Sequence, residues 1–207
     1  MPRPIRASTE GDKMANVKLH LGAARRRLTG FLNIDREYSE GLDLVADVSD
    51  LSAFQSNSVN EIYSSHTLEY FDREEVISVL SEWNRVLAPE GKVFVSVPDL
   101  PKLIEIYLSS NEIGRVLGPL FGKWKNPANA ETLYHKTVWD FASLSSAFEH
   151  VGFNKVSTFN PVEYLGSIDP EFDDYSLAFY PHMDPSGIQV SLCIQAEKGA
   201  PAEANNS

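Results

Sequence analysis

The chain has 207 residues, 43% of them hydrophobic, which is enough for one substantial core and too few for two full-size domains. Its formal net charge of −11 opposes binding to nucleic acid, and the basic cluster Arg25–Arg27 is too small to reverse that. A neutral or cationic small molecule is a more suitable partner. The apolar runs are too short for membrane insertion and no signal peptide is evident, so we expect a cytoplasmic protein of undetermined oligomeric state.

The cysteine and acidic residues predict neither a disulfide nor a metal site. Cys193 is the single cysteine, and its alternating, strand-like setting is typical of a buried, unreactive thiol. The acidic run from Asp169 to Asp174 supplies hard oxygen atoms but lacks an established calcium-loop spacing. We therefore interpret this run as a solvated loop.

Strand and helix signals alternate over residues 17–198, which predicts a single α/β domain with a mostly parallel sheet and helices on both faces. Residues 1–16 and 199–207 are expected to be flexible termini. Only about ten residues separate the first two strands, so the first crossover must be a very short helix or a loop. In the first half the predicted elements are strands at Val17–Leu21, Phe31–Ile34, Leu42–Ala46 and Glu61–Tyr63, a helix at Arg73–Leu87, and a strand at Lys92–Val97.

The second half of the chain is less regular. Residues 109–134 lose periodicity and gather Gly, Pro and Asn, so they are interpreted as a lid or insertion before the last strands. The late aromatic side chains of residues 164–180 are suited either to stacking on a sugar or to core packing. The predicted elements are helices at Pro101–Leu108 and Val138–His150, and strands at Lys155–Asn160 and Gln189–Glu197.

Residues suited to ligand binding follow each of the first five strands. Parallel strands end at one edge of the sheet, where ligands bind. A glycine there lets the backbone approach a ligand, and a carboxylate can accept ribose hydroxyls or an adenine amine. Taken singly, Gly22 and Asp35 are each more typical of an ordinary turn than of a ligand site. The residues are Gly22, Asp35, Asp47 with Val48, Ser65 with His66, and Asp99.

The order and spacing of these segments resemble the small S-adenosylmethionine-dependent methyltransferases of the type 11 group, several of which occur among polysaccharide biosynthesis enzymes. The resemblance covers residues 17–100. One departure is Gly22-Ala23-Ala24, where the family has Gly-Xaa-Gly. The matching segments are Lys18-Leu-His-Leu-Gly22, Leu28-Thr-Gly-Phe-Leu-Asn-Ile-Asp35, Asp43-Leu-Val-Ala-Asp-Val48, Ser58 to Tyr70, and Glu82 to Lys92.

The resemblance implies a Rossmann-like class I methyltransferase fold and S-adenosylmethionine as cofactor. Residues 17–100 would form the cofactor-binding half, and residues 101–198 the acceptor-binding half. By position, Leu21, Gly22 and Ala23 would hold the methionine moiety and Asp35 the ribose. Asp47 and Val48 would frame the adenine, while Ser65 and His66 would flank the sulfonium.

Methyl transfer to a hydroxyl benefits from a nearby base. The candidate catalytic residues are His66, Asp99 and His135. His66 is equally suited to a structural role, and His135 is more typical of a residue that caps the helix starting near Val138. His20 alternates with leucines inside a strand and is interpreted as a core imidazole.

Two functional hypotheses remain. The first is an O-methyltransferase acting on a sugar, glycan or other small hydroxylated acceptor. The second is a degenerate methyltransferase fold that serves as a binding or scaffold protein without turnover, which the Gly-Ala-Ala loop permits. A nicotinamide-dependent oxidoreductase is disfavoured, because its glycine fingerprint and acidic partner are missing. A nucleic-acid base methyltransferase is disfavoured because its Asp-Pro-Pro-type motif is missing.

Overall fold

The computed structural model describes residues 16–125, 131–181 and 186–200. The predicted flexible termini therefore fall almost entirely outside the described residues. The helices are α1 (Arg73–Val86), α2 (Leu100–Ser110), α3 (Gly114–Phe121), α4 (Phe141–His150) and α5 (Pro161–Ile168), with 3₁₀ turns at Leu68–Tyr70 and Tyr175–Leu177. The strands are β1 (Lys18–Leu21), β2 (Leu32–Asp35), β3 (Leu44–Val45), β4 (Val59–Ser65), β5 (Leu87–Pro98), β6 (Trp124–Lys125), β7 (Thr132–Leu133), β8 (Phe153–Thr158), β9 (Phe179–Tyr180), β10 (Ile188–Gln189) and β11 (Ser191–Lys198).

Seven strands form the central sheet in the order β3-β2-β1-β4-β5-β11-β8. The pairs among β1 to β5 are parallel, and β11 runs antiparallel to both β5 and β8. The mostly parallel α/β sheet predicted from the sequence is thus confirmed. Residues 22–31 contain turns and no helix, so the first crossover is a loop, as the short spacing requires.

The sheet buries different side chains on its two faces because successive residues of a strand point in opposite directions. One face carries Ile62 and packs against α1 and α4, including Trp83 and Phe148, in the main core. The opposite face carries Tyr63 and Phe94 and packs against Leu165 of α5 and residues of the 22–31 loop. The loop therefore takes the place on this face that a crossover helix would otherwise occupy.

Helix α1 begins where its capping residues predict. Asp72 accepts hydrogen bonds from the backbone N–H groups of Glu74 and Glu75, and Glu75 accepts one from Asp72 N in return. The helix ends at Val86, one residue before the predicted end, and β5 begins directly at Leu87. The Pro89-Glu90-Gly91 segment lies in the early part of β5, where the pairing with β4 shifts register between Val59 and Glu61 and Glu90 adopts a φ of 64°.

The predicted irregular insertion contains a helix that periodicity did not reveal. Helix α3 includes Gly114, Gly118 and Pro119, all of which have low intrinsic helix propensity. It packs against α2, and Val116 joins Leu103 and Ile106 in a small separate core. Tertiary packing therefore overrides local propensity in this segment.

The prediction for Cys193 agrees with the structure. Cys193 is 4% exposed, and burial raises the pKa of its thiol to about 12, so the cysteine is buried and poorly nucleophilic. Among the described residues, every helix falls short of the length and apolar character needed to cross a membrane.

Truncation of Phe148 tests the main core. This residue is fully buried in α4, and its ring packs against Phe153 with centroids 5.2 Å apart. We expect Phe148→Ala to lower the free energy of unfolding by about 3–5 kcal/mol, because the lost contacts leave a cavity. Phe141→Ala is a matched control in the same helix, since Phe141 is 43% exposed and should change stability by about 0.5 kcal/mol or less. Urea denaturation measures both, and equal losses would contradict this description of the core.

Candidate cofactor and acceptor site

The sheet register places the predicted ligand-binding residues at one edge. Leu21 is paired with Ile34 on β2 and with Ser64 on β4, so Gly22, Asp35 and Ser65 follow on neighbouring strands. Further along, Asp35 is paired with Val45 on β3. The carboxyl ends of β1 to β4 therefore bring the predicted cofactor residues together, which is where ligands bind in open parallel sheets.

Gly22 makes a close approach that requires glycine. Its φ is +75°, and a Cβ atom at this position would lie 2.1 Å from Thr67 Oγ1. The amides of Gly22 and Ala23 both donate to the carbonyl of Ile34, at 2.9 and 3.0 Å. Because both amides are bonded to β2, they are not available to bind a ligand carboxylate.

Asp35 fixes the loop after β1. Its Oδ2 accepts a hydrogen bond from Ala24 N at 2.8 Å, and its Oδ1 accepts one from Glu37 N at 2.9 Å. Ala24 adopts a left-handed conformation, with φ of 47°, which is uncommon for a residue with a side chain. A carboxylate oxygen has two lone pairs, so each of these oxygens retains the capacity to accept a hydroxyl.

Arg27 is a loop-fixing residue that the sequence did not reveal. Its guanidinium donates to the carbonyls of Ala24 and Glu40 and to Ser39 Oγ, at 2.5–3.2 Å. It thereby joins the segment after β1 to the segment after β2 without a helix. Beside it lies an open cavity of about 410 Å³ lined by Arg25, Arg27, Tyr38, Ser39 and Glu40.

Asp47 and Val48 follow β3 in different environments. Asp47 is exposed, and its Oδ1 accepts hydrogen bonds from the amide and hydroxyl of Ser49, at 2.9 and 2.6 Å. The side chain of Val48 is 6% exposed and packs in the main core. Its carbonyl accepts the indole N–H of Trp83 at 2.8 Å, so α1 holds this loop in place.

The acidic segment that contains Asp169 and Asp174 packs on the loop after β1. Thr29 donates to Asp169 Oδ2 at 2.6 Å, and Arg26 donates to the carbonyl of Asp173 at 2.6 Å. Asp174 is buried and accepts the hydroxyl of Tyr63 at 2.6 Å. The interpretation as a solvated loop is therefore wrong for Asp174, which anchors the segment. No cluster of three potential metal ligands occurs in the described ranges.

His66 lies directly after β4 in an unusual conformation. Its φ is 52°, and its ring is largely buried, with 14% of the side chain exposed. Nδ1 is 3.0 Å from Glu69 Oε1, and Nε2 is 2.8 Å from Ser191 Oγ. The ring of Tyr175 packs edge-on against the imidazole, with centroids 5.6 Å apart. Glu69 and Ser191 are functional candidates that sequence reasoning missed, whereas Tyr175 belongs to the late aromatic side chains considered for stacking on a sugar.

His135 lies on the other side of Glu69. Its Nε2 is 3.9 Å from Glu69 Oε1, and its Nδ1 is 2.8 Å from the carbonyl of Pro119. Tyr70 packs edge-on against the His135 ring at 4.8 Å. Burial, and secondarily the Glu69 carboxylate, raises the pKa of Tyr70 to about 12. The structure thus brings His66 and His135, two of the three candidate bases, to one buried carboxylate.

Asp99 lies apart from the two histidines. It is the N-terminal capping residue of α2, where its carboxylate accepts a hydrogen bond from Lys102 N at 3.4 Å. Burial raises the pKa of its carboxyl. Its backbone N–H donates to the carbonyl of Val190, just before Ser191. Asp99 therefore shares the sheet edge with the cluster, and none of the described hydrogen bonds or ion pairs connects its side chain to either histidine.

His20 is a core residue, as its strand pattern predicts. It is 2% exposed, and its Nδ1 is 2.9 Å from Asn33 Oδ1. Burial lowers the pKa of the ring, and Phe172 and Tyr63 pack against it.

Comparisons with known proteins agree with the overall fold. A family model described as a methyltransferase domain matches residues 27–95. A solved S-adenosylmethionine-dependent methyltransferase from Methanosarcina mazei superimposes with a TM-score of 0.54 at 14% identity, covering 91% of this chain and 95% of that one. One from Archaeoglobus fulgidus gives 0.52 at 16% identity, covering 89% and 87%. No curated protein matches the sequence significantly.

A third similar structure is the complex between the Haloferax volcanii Trm112 methyltransferase activator and a methyltransferase, with a TM-score of 0.50, 14% identity and coverage of 92% and 85%. These likenesses show that the described chain has the class I methyltransferase fold. Together with the matched domain, they support a methyltransferase that uses S-adenosylmethionine as its cofactor.

Substitution of Gly22 tests the close approach to Thr67. We expect Gly22→Ala to lower the free energy of unfolding by about 1–2 kcal/mol from the left-handed backbone and by about 1–3 kcal/mol more from overpacking. Gly30→Ala is the matched control, because Gly30 has φ of +81° and an added Cβ there would meet no atom within 4 Å. Urea denaturation separates the two costs. Equal destabilisation, or no rescue of Gly22→Ala by Thr67→Ala, would contradict the contact.

Proposed function

We propose that this chain is an S-adenosylmethionine-dependent O-methyltransferase that acts on a sugar or another small hydroxylated acceptor. The observation that carries the proposal is the shared sheet edge: Gly22, Asp35 and Ser65 follow strands that are adjacent in register. Asp47 follows the next strand, β3. Four successive strand ends with these residue types fit the polar groups of the cofactor in order.

The donor chemistry at this edge suits the cofactor. The bare Cα of Gly22 lets Thr67 lie against the end of β1 beside the proposed position of the methionine moiety, and Leu21 and Ala23 flank this position. The carboxylate of Asp35 can accept ribose hydroxyls, and the exposed Asp47 can accept the adenine amine. When bound, S-adenosylmethionine supplies an activated methyl group for in-line displacement by an acceptor atom.

The polar cluster after β4 supplies what a hydroxyl acceptor needs. His66 lies directly after Ser65, beside the proposed sulfonium end of the cofactor site. An imidazole can hold the proton that the acceptor hydroxyl loses. The Tyr175 side chain, which is 60% exposed, offers a ring beside this imidazole on which a sugar face can pack.

The acceptor is proposed to be a sugar, a glycan or another small hydroxylated compound. The choice of a sugar or glycan rests on the resemblance to methyltransferases of polysaccharide biosynthesis, and on the exposed aromatic ring of Tyr175. Residues 101–198 are proposed to form most of the acceptor pocket. The cytoplasmic location also stays a prediction.

A second candidate is a binding or scaffold protein that retains the fold without turnover. One observation favours it: Ala24 replaces the second glycine of the family loop and adopts φ of 47°. The amides of Gly22 and Ala23 are also already bonded to β2. The backbone amides of residues 22–24 therefore all bond to other parts of the protein and are not free to bind a ligand.

Calorimetry with S-adenosylhomocysteine, followed by transfer of labelled methyl to a panel of sugar nucleotides, distinguishes the two candidates. Binding with transfer supports the O-methyltransferase. Binding without transfer to any hydroxyl acceptor favours the scaffold. Absence of binding would overturn the proposed cofactor site.

Asp47 provides a direct test of the adenine position. We expect Asp47→Ala to weaken S-adenosylhomocysteine binding about 10- to 100-fold, because a charged hydrogen-bond acceptor is lost. Asp50→Ala is the matched control: Asp50 is also exposed and accepts a hydrogen bond from the amide two residues later, as Asp47 does. Calorimetry measures both. Equal effects of the two substitutions on S-adenosylhomocysteine affinity would contradict the placement of Asp47 at the adenine.

A further inference from the structure

Glu69 is a buried carboxylate in an incomplete polar environment. Its side chain is 0% exposed, and within the described chain neither of its oxygens has a well-aligned hydrogen-bond donor. The nearest cationic candidate is His66, whose Nδ1 is 3.0 Å from Oε1. A buried charge is costly unless it is paired, so a proton on His66 Nδ1 is the contact that offsets the burial of Glu69.

The second histidine does not supply that proton in its neutral form. His135 Nδ1 is 2.8 Å from the carbonyl of Pro119, which can only accept, so this nitrogen carries the hydrogen. The other nitrogen, Nε2, then carries a lone pair toward Glu69 at 3.9 Å. His66 is therefore the ring that holds the proton next to the carboxylate.

Ser191 lies within hydrogen-bond distance of the other ring nitrogen of His66, Nε2. Its Oγ is 2.8 Å from His66 Nε2 and also 2.8 Å from the carbonyl of Tyr175. A hydroxyl has one hydrogen and can rotate, so it points either at Nε2 or at this carbonyl. Ser191 pairs with Pro98 in the sheet, at the same edge as the ends of the parallel strands. The order Ser191, His66, Glu69 matches the hydroxyl, imidazole and carboxylate arrangement that moves protons in hydrolase triads.

We propose that Ser191, His66 and Glu69 form a proton relay for methyl transfer, in which Ser191 connects the acceptor hydroxyl to His66, and Glu69 is a positioning residue that stabilises the charged imidazole. This proposal rests on the proposed O-methyltransferase function. The fold brings the three residues together, because Ser191 lies far from His66 in sequence. Glu69, the carboxylate of the relay, is fully buried.

The proton balance of the relay is complete. As the acceptor oxygen uses the electron pair of its O–H bond, its proton passes to Ser191 Oγ, and the original Ser191 proton passes to His66 Nε2. His66 then carries protons on both nitrogens and is held by Glu69. In this state Nε2 donates to Ser191, and Ser191 donates to the carbonyl of Tyr175, which reproduces the two observed distances of 2.8 Å. The displaced sulfonium becomes a neutral thioether, so overall charge is conserved.

Other titratable groups surround His66 and bear on any pH measurement. Glu69 belongs to its own segment, and His135 and Tyr70 pack around that carboxylate. Tyr175 covers the His66 ring, and the guanidinium of Arg26 lies over the Tyr175 ring at 5.0 Å from its centroid. Substitutions at Glu69 and Ser191 leave the other four groups in place.

Nitrogen-15 NMR of the histidine rings tests the relay without an acceptor. Glu69 lies against Nδ1 of His66 and fixes the ring hydrogen on that nitrogen, so we expect Glu69→Gln to change the tautomer ratio that the two ring nitrogen shifts of His66 report. His20 is an internal control, because its ring partner is Asn33. Glu61→Gln is the matched variant: Glu61 is a partly buried carboxylate that pairs with Lys18, and its substitution should leave the His66 shifts unchanged. Unchanged nitrogen shifts of His66 in Glu69→Gln would overturn the proposal.

The kinetics of the Ser191→Ala and Glu69→Gln variants provide a second test of the relay. With labelled methyl transfer to the sugar nucleotide panel, Ser191→Ala and Glu69→Gln should each lower kcat about 10²- to 10⁴-fold, with KM for S-adenosylmethionine unchanged. The double variant should lose little more than either single variant, because the residues act as a unit. Ser145→Ala, which removes a buried hydroxyl from α4, is the matched control.

The outcomes separate the relay from the function on which it rests. Full kcat in Ser191→Ala, or multiplicative losses in the double variant, would contradict the relay. Wild-type binding of S-adenosylhomocysteine by both single variants is expected. Loss of that binding in the wild-type chain would instead contradict the cofactor site. A wild-type chain that binds S-adenosylhomocysteine but methylates no member of the panel would refute the relay in methyl transfer.

Discussion

The short connection between β1 and β2 is the constraint on which the rest of the site depends. Residues 22–31 are too few for a full crossover helix, so side chains must fix the chain that follows Gly22. Asp35 holds Ala24 N, and Arg27 joins that segment to the loop after β2. On the sheet face that lacks a crossover helix between β1 and β2, α5 and Phe172 contribute to the covering layer. Phe172 packs on His20 and Tyr63. The conformation of the 22–31 loop and the proposed cofactor site therefore depend on the same contacts.

Much of the fold could be predicted from the sequence because its signals are local. Parallel strands give short apolar runs that end in turn residues, and α1 carries both a capping box and a regular apolar face. Helix α3 could not be predicted, because Gly114, Gly118 and Pro119 lower its intrinsic helix propensity and it depends on tertiary packing, including that of Val116. The nearness of Gly22 and Asp35 could be predicted because they end consecutive strands, and consecutive parallel strands lie side by side with their carboxyl ends at one edge of the sheet.

The acceptor side could be predicted only in part, because its contacts join distant segments. His66 and His135 were chosen as candidate bases, but their common partner Glu69 is identified by burial, which the sequence does not display. The signal available was an acidic residue three positions after His66, next to a strand end. Ser191 had no such signal, since 125 positions separate it from His66. A serine at the start of a strand carries no distinguishing pattern in sequence.

The central claim is that the carboxyl edge of β1 to β4 binds S-adenosylmethionine. Amide hydrogen exchange with and without S-adenosylhomocysteine measures this position by position, because a ligand that binds the native state slows local opening. The account predicts protection concentrated at residues 21–24, 34–37, 46–49 and 64–67. Unchanged exchange at these four segments, or protection confined to residues outside this edge, would contradict it.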